Sequence, residues 1–283
     1  MNSDGIDIVS SSNVLIADSI ISTADDAICL KTLSITPLRN VLIEDCVVSG
    51  SAANGIKIGT ETHGSVENVT IRNCRIGSCH GAICLYMVDG GTMSDVLADN
   101  IDIADAHSAL SIRLGARNRT YAGGPPADVT GTMRRITVRG VTARGITTRH
   151  ECYIAGLPDR PVEEVTLENI RIDSVAAGSP EDRRLQPELK ATAYPNPITF
   201  GELPAWGLWA RDVTGLALRN VDLGCHENEG RFAIVLERVR DVSLRNVVVD
   251  RVPGSLVDLR DGARVALDET PVGSTRLRLE SGR

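Results

Sequence analysis

Aromatic residues are scarce in this sequence, and several features that would assign it to a functional class are missing. Only 3% of the 283 residues are aromatic although 42% are hydrophobic, so the interior must be built from Val, Ile, Leu and Ala. β-Branched residues at that density favour strands. No apolar run is long enough to predict a membrane span, and no signal peptide is visible. The net charge is -7 without a basic stripe, so nucleic-acid binding is not predicted.

Signatures of metal sites and disulfides are also missing. The seven Cys residues are an odd number and show no CxxC spacing. We therefore expect no zinc site, no other bound metal, no cofactor and no complete disulfide framework. Cys46 and Cys74 follow the closing Asp or Asn of the repeat described next, which indicates a buried ladder of small thiol side chains.

A phrase of alternating apolar and polar residues recurs along the chain, mostly at intervals in the twenties. It opens and closes with Asn or Asp in the copies at Asn13–Asp18 and Asn40–Asp45. The later copies close at Asn73, Asn100, Gly140, Asn169, Asn220 and Asn246. Such alternation predicts a strand with one buried face, and the period predicts a solenoid. Asn or Asp at the close suits a turn in left-handed geometry or a side-chain ladder.

A second short strand lies between successive copies of the phrase. It is marked by aliphatic pairs at Ile6–Ile8, Ile28–Leu30, Ile56–Ile58, Ile83–Leu85, Ile112–Leu114, Ile234–Leu236 and Leu256–Leu259. Two or three stacked strands per turn describe a parallel β-helix. We therefore predict an all-β fold, a right-handed parallel β-helix of roughly nine or ten coils, in a single domain over residues 1–283.

Two longer intervals in the repeat predict loop insertions at 115–133 and 178–204. Insertions on one face of a solenoid commonly build its binding site. The chain begins inside a coil strand without the polar cap that a solenoid end needs, so we expect N-terminal coils to be missing from it.

Three carboxylates gather when the second strands are stacked by their aliphatic pairs. Asp4 then falls beside Asp26, and Asn54 follows in the same stack, while Asp25 directly precedes Asp26. Simple alternation would point Asp26 inward, so we place it at the coil corner. Like charges held this close favour one protonated and one ionised carboxyl, which together make a general acid and a general base.

These motifs resemble those of glycoside hydrolase family 28, the polygalacturonase family. Residues 2–5 read Asn-Ser-Asp-Gly, similar to the family's Asn-Thr-Asp-Gly, and residues 25–31 are similar to its Asp-Asp strand. The resemblance implies hydrolysis of pectin-type polysaccharide with inversion. Asp25 would be the general acid, and Asp4 and Asp26 would hold and activate the water. It also implies a secreted or periplasmic protein that acts on an oligosaccharide or polysaccharide. We expect the protein itself to be a monomer.

Two departures from the family's pattern concern the residues that grip the substrate. Asn54 stands where the family has His, and Cys84-Leu-Tyr86 stands where it has Arg-Ile-Lys. Lys57, Cys84 and Arg113 are expected to share one outward position on successive coils, so Lys57 and Arg113 are candidates to replace the missing cations. His63, in a Gly-rich turn, is a further candidate substrate ligand. The alternatives are solvated ladder residues for the two cations and a structural role for His63.

Two other functions are compatible with the sequence. A polysaccharide lyase on the same fold would depend on calcium and would release an unsaturated product that absorbs in the ultraviolet. A catalytically inactive β-helix fragment that only binds carbohydrate is the second alternative, because the family's His and Arg-Ile-Lys are absent. The fold alone does not decide between them.

Overall fold

The molecule is a parallel β-helix, as the repeat predicts. The computed structural model describes residues 3–49, 51–119, 121, 130–150, 152–249, 257–261, 265–267 and 279–281. Over these residues the chain forms nineteen β-strands and one short 3-10 helix, Pro180–Arg184. The named strands within these ranges pair in parallel, each with a strand one coil away. No helix in the described part of the chain is long and apolar enough to cross a membrane.

The strands form three faces, and sheet 1 is the face that carries the carboxylates. We number the coils by its strands, from coil 1 to coil 10: β1 (Ile6–Val9), β4 (Ile28–Thr32), β7 (Asn54–Thr62), β9 (Gly81–Met87), β11 (Ser108–Leu114), β13 (Tyr153–Ala155), the first parts of β15 (Ala205–Gly224) and β16 (Phe232–Val249), β17 (Val257–Arg260) and β19 (Leu279–Ser281).

Sheets 2 and 3 are built from the repeated phrase and the residues after it. Sheet 2 contains β2 (Ser12–Ala17), β5 (Leu38–Glu44), β18 (Val265–Leu267) and the first halves of β8 (Val66–Gly77), β10 (Thr92–Ala104), β12 (Thr132–Ile146) and β14 (Val162–Ser174). Sheet 3 contains β3 (Ile20–Ile21), β6 (Val47–Ser49) and the second halves of those four strands. The remaining parts of β15 and β16 continue sheets 2 and 3.

The core is a set of aliphatic columns that run along the solenoid. The first apolar residue of the phrase stacks in the column Val14, Val41, Val69, Val96, Ile136, Val165, Leu216 and Val242. Identical or similar side chains in register fill the interior without aromatic bulk, which agrees with the composition. The column is buried from Val41 onward.

The polar residues of the phrase occupy the corners, as predicted. Asn13, Asp18, Asn40 and Asp45 all have φ between 50° and 60°, the left-handed geometry that Asn and Asp tolerate best. The amide of Asn40 donates to Oδ1 of Asn13 at 2.9 Å, so the same residues form a ladder between coils. All seven Cys residues lie in the described ranges, and none of them forms a disulfide.

One predicted register is wrong. The Ile112–Leu114 pair was expected to stack on Ile83–Leu85, but Leu110 pairs with Ile83 and Ile112 with Leu85. Cys84 therefore faces Ser111, and Arg113 faces Tyr86. A shift by two residues keeps the same side chains outward, so the alternation could not reveal it.

Two long connecting segments follow β11 and β14. The first separates β11 from β12, which begins at Thr132, and its residues 120 and 122–129 lie outside the described residues. The second separates β14 from β15 and contains only the 3-10 helix. We call residues 175–204 the strap, because they lie along the outer face of sheet 1.

Candidate active site

Asp26 lies in the bend before β4 and is held by two residues of β7, Asn54 and Lys57. Its Oδ1 accepts hydrogen bonds from the backbone N–H and the side-chain amide of Asn54, at 3.1 and 2.6 Å. Its Oδ2 lies 2.7 Å from Nζ of Lys57. Asp26 is only 4% exposed, so these contacts fix both carboxylate oxygens. The corner position that we predicted for Asp26 is therefore the one it occupies.

Asp4 lies beside Asp26, one coil earlier. Oδ2 of Asp4 pairs with Nζ of Lys31 at 2.7 Å, and the same ammonium contacts Asp7 at 2.8 Å. Carboxylate oxygens of Asp4 and Asp26, together with Sγ of Cys29, lie within 4.8 Å of one another. Two carboxylates, each paired with a lysine, thus face each other across the gap between coils 1 and 2.

Asp25 lines a cleft of about 200 Å³ next to this pair. The other residues that line it are Asp26, Ala53, Asn54, Lys57, His80, Tyr194, Asn196, Pro197 and Ile198. Oδ1 of Asp25 accepts the backbone N–H of Asp26 at 3.0 Å. The backbone carbonyl of Asp25 is held by the hydroxyls of Thr23 and Ser51 at 2.7 and 2.6 Å. The three aspartates predicted as catalytic are thus brought together.

Lys57 connects the aspartates to the strap. Its ammonium pairs with Asp26, lies 3.4 Å from the hydroxyl of Tyr194, and sits 5.7 Å from the centre of that ring. Burial acts to lower the pKa of Lys57, but the adjacent Asp26 carboxylate raises it above its ordinary value. A positive charge is therefore fixed at the cleft.

Comparison with known protein families identifies the family to which the chain belongs. The model of the glycosyl hydrolases family 28 matches residues 1–186, well over half of the chain. The chain belongs to glycosyl hydrolase family 28. It is also 35% identical over 113 residues to a probable polygalacturonase from Arabidopsis thaliana, an alignment that covers 36% of this chain and 23% of that protein. The chain therefore aligns with about a quarter of that relative's length.

The family's missing Arg-Ile-Lys has a structural explanation in this member. Cys84 and Tyr86, at the positions of the two cations, are fully buried. They belong to an apolar cluster, outside the solenoid interior, with Tyr153, Ala155, Phe200, Leu203, Ala205, Trp209, Phe232 and Val235. Burial in that cluster raises the pKa of the Cys84 thiol to about 12. An unpaired cation would be costly at either position.

Arg113 does not line the cleft. Its guanidinium donates to the backbone carbonyl of Lys190 in the strap and lies 5.2 Å from the centre of the Phe200 ring. The residue is 1% exposed, so contact with a substrate would require the strap to move. The prediction that Arg113 and Lys57 share one stack position is wrong. Lys57 stacks with Cys84 and Ser111, whereas Arg113 lies two residues further along the strand and stacks with Tyr86.

His63 belongs to a second polar cluster at the far end of β7. Its ring makes an edge contact with Tyr121, whose hydroxyl donates to Asp89 at 2.7 Å. Asp89 also accepts from Arg117, and Arg117 lies 5.9 Å from the centre of the Tyr194 ring. His63 does not line the cleft, and Tyr194 stands between the two clusters.

Three residues of the site were missed by the sequence analysis. Lys31 and Tyr194 hold Asp4 and Lys57, and His80 lines the cleft. His80 occupies the column of Asp25, since both lie three residues before the first aliphatic residue of the pair, so the repeat contained its signal. His80 stacks on His107 of the next coil with ring centres 4.7 Å apart. Tyr194 carried no signal, because the strap has no repeat.

Asp4, Asp26 and Cys29 offer three potential metal ligands within 4.8 Å. The lysine ammonium groups already neutralise one oxygen of each carboxylate. Burial raises the pKa of the Cys29 thiol, which disfavours the thiolate that a metal would need. The donor set fits an ion-paired carboxylate site better than a metal centre.

Proposed function

We propose that this chain carries the active site of a glycosidase that hydrolyses pectin-type polysaccharide with inversion. Membership of glycosyl hydrolase family 28 favours a hydrolase over a lyase. The pectic substrate rests on the similarity to a protein named as a probable polygalacturonase.

The observation that carries the proposal is the pairing of Asp4 with Asp26. Their oxygens lie within 4.8 Å, which one water can span with two hydrogen bonds of about 2.8 Å. Each carboxylate is held in place by a lysine ammonium at 2.7 Å. This pair is suited to orient and deprotonate the attacking water.

Asp25 is then the proton donor. Water attacks the anomeric carbon and transfers one proton to the Asp4–Asp26 pair, while Asp25 gives its proton to the departing glycosidic oxygen. One C–O bond forms, another breaks, and the configuration inverts. Such a mechanism needs the acid and base about 6.5–9.5 Å apart, on opposite sides of the sugar. The cleft beside Asp25 offers the space for the ring between them.

The cleft-lining polar residues are the proposed substrate contacts. Asn54 and Lys57 stand at its base, and Lys57 suits the carboxylate of a uronic acid. His80 is an exposed residue that also lines the cleft, and it is a further proposed contact. Arg113 and His63 are not among these contacts in this structure.

The test is product analysis on a panel of pectic polysaccharides and their oligosaccharides. Proton NMR early in the reaction should show the anomer opposite to that of the cleaved bond. A retained anomer would contradict inversion. An unsaturated product that absorbs in the ultraviolet would indicate a lyase, and binding without any product would indicate a carbohydrate-binding β-helix.

A further inference from the structure

The strap leaves coil 6 after β14, reaches coils 8 and 9, and then runs back along sheet 1 toward the aspartates. Arg260 of β17 donates to the carbonyls of Arg183 and Leu185 at 2.6 and 2.9 Å. Arg211 of β15 donates to the carbonyl of Pro187 at 2.6 Å. Coils 9 and 7 thus hold the outgoing half of the strap through partly buried arginines.

Closer to the aspartates, coil 5 and coil 3 hold the strap. Arg113 binds the carbonyl of Lys190, and the backbone N–H of Ala116 donates to the carbonyl of Ala191 at 2.8 Å. Tyr194 then reaches Lys57 on coil 3. The outgoing half therefore spans sheet 1 from coil 9 to coil 3.

The returning half of the strap covers the same face a second time. A Cβ on Gly81 of coil 4 would lie 2.7 Å from Cγ of Pro197, so the strap lies directly against that strand. The Tyr153 hydroxyl donates to the carbonyl of Asn196 at 2.8 Å, and Phe200 packs edge-on against the rings of Tyr153 and Trp209. At the corner, Nδ1 of His150 lies 2.6 Å from the carbonyl of Gly201.

A second hydrophobic core fills the space between the strap and sheet 1. Tyr86, Tyr153 and Trp209, on coils 4, 6 and 7, each have no exposed surface. On an open groove these outward positions would face solvent or substrate. Their burial shows that the strap is packed as part of the fold along this face.

We propose that the strap closes the downstream end of the substrate cleft, so that the enzyme acts at the end of a polysaccharide chain. This inference rests on the proposed hydrolysis of pectin-type polysaccharide at Asp4, Asp25 and Asp26. Coil 4, where Pro197 meets Gly81, lies two coils or about 10 Å beyond Asp26. That distance accommodates roughly one or two sugar rings, and a continuing chain would collide with the strap. Closure of this one end is enough to restrict cleavage to the end of a polysaccharide chain, whatever lies upstream of Asp4.

The closed end also gives a role in sugar binding to two strap residues with exposed side chains, Tyr194 and Ile198. Tyr194 and Ile198 are 55% and 53% exposed although both line the cleft. An aromatic ring and an aliphatic side chain at the end wall offer apolar surface to the C–H face of a terminal sugar. The ligand class is therefore the terminal one or two units of a pectic chain.

The experiment is a time course of product length from the 283-residue chain on the pectic polymers of the panel. The expected result is a single mono- or disaccharide from the earliest times, with solution viscosity falling slowly relative to the number of reducing ends formed. An early ladder of long oligosaccharides would overturn the closed end while leaving the proposed hydrolysis intact. No cleavage of any polymer or oligosaccharide would overturn the proposed function, and this inference with it.

A variant with a shortened strap tests whether the strap is what limits the length of the products. Residues 192–199 are replaced by two glycines, and folding is checked by circular dichroism. Longer oligosaccharides should then appear among the first products. A folded variant that still releases only the short product would show that the strap is not what closes the cleft. Leu15→Ala, on an exposed side chain of sheet 2, is the matched control and should leave the products unchanged.

Discussion

Nζ of Lys57 lies 2.7 Å from Oδ2 of Asp26, and the two side chains are only 4% and 6% exposed. Each charge depends on the other, because an isolated buried ion is strongly destabilising. Lys57→Met should therefore lower the free energy of unfolding by about 3–5 kcal/mol, measured by urea denaturation. Combining Lys57→Met with Asp26→Asn should recover part of the loss. Arg72→Met, which breaks an exposed pair with Glu44, is the control and should cost about 1 kcal/mol or less. A double variant no more stable than Lys57→Met would contradict the ion-pair argument.

Asp25→Asn should reduce turnover on the natural polysaccharide by roughly 10²–10⁴-fold, the usual contribution of a general acid. The loss should be much smaller on an aryl glycoside whose leaving group needs no proton. The Michaelis constant should change little, because the amide keeps the shape of the carboxyl. Asp45→Asn, at an exposed corner where other coils carry Asn, should leave turnover unchanged. Equal losses on both substrates would exclude Asp25 as the acid.

Arg113→Met should loosen the strap, because the guanidinium holds the carbonyl of Lys190. We expect trypsin to cleave after Arg183, Arg184 or Lys190 several-fold faster than in the wild type, at conditions where the solenoid stays folded. Arg240→Met removes an arginine that contacts Thr214, away from the strap, and should not change the rate. If Arg113→Met raised the Michaelis constant with no change in proteolysis, Arg113 would be a substrate ligand, as the sequence first suggested.

Asp89→Asn should destabilise the protein in a pH-dependent way. Burial acts to raise the pKa of Asp89, but hydrogen bonds from Arg117, Tyr121 and the Arg119 backbone outweigh it and lower the pKa. A folded pKa below the unfolded value means that the stabilisation is present above the unfolded pKa, about 3.9, and is lost as pH falls through the folded pKa. The difference in unfolding free energy between wild type and variant should be large near neutral pH and should shrink in acid. A difference that is constant with pH would show that the charge of Asp89 does not contribute.

The positions that correspond to the family's Arg-Ile-Lys pack against the strap in this protein. Where the family places cations on the groove, Cys84 and Tyr86 lie under the strap with Phe200 and Trp209 nearby. Under the proposed closure of the cleft, this packed interface would take the place of substrate contacts beyond the carboxylates. The loss of the gripping residues therefore does not by itself indicate an inactive protein.

The sequence alone determined the solenoid and the position of the aspartates. Alternation fixes which side chains face inward, and a period near one coil fixes which strands stack, so Asp4, Asp26 and Asn54 could be aligned by their aliphatic neighbours. The corners followed as well, because Asn and Asp recur where left-handed geometry is needed. Because parallel strands pair in register, residues at equivalent positions of successive repeats become neighbours in space.

Only the tertiary structure decided what surrounds the aspartates. The register of Arg113 could not be read from alternation, because a shift by two residues leaves every side chain on the same face. Tyr194 meets Lys57 across 137 residues of sequence, and nothing in the strap repeats to predict that contact. The strap takes its path from the arginine side chains and the apolar surface that it meets on successive coils. Such contacts are set by packing, and so the shape of the cleft was decided by the fold.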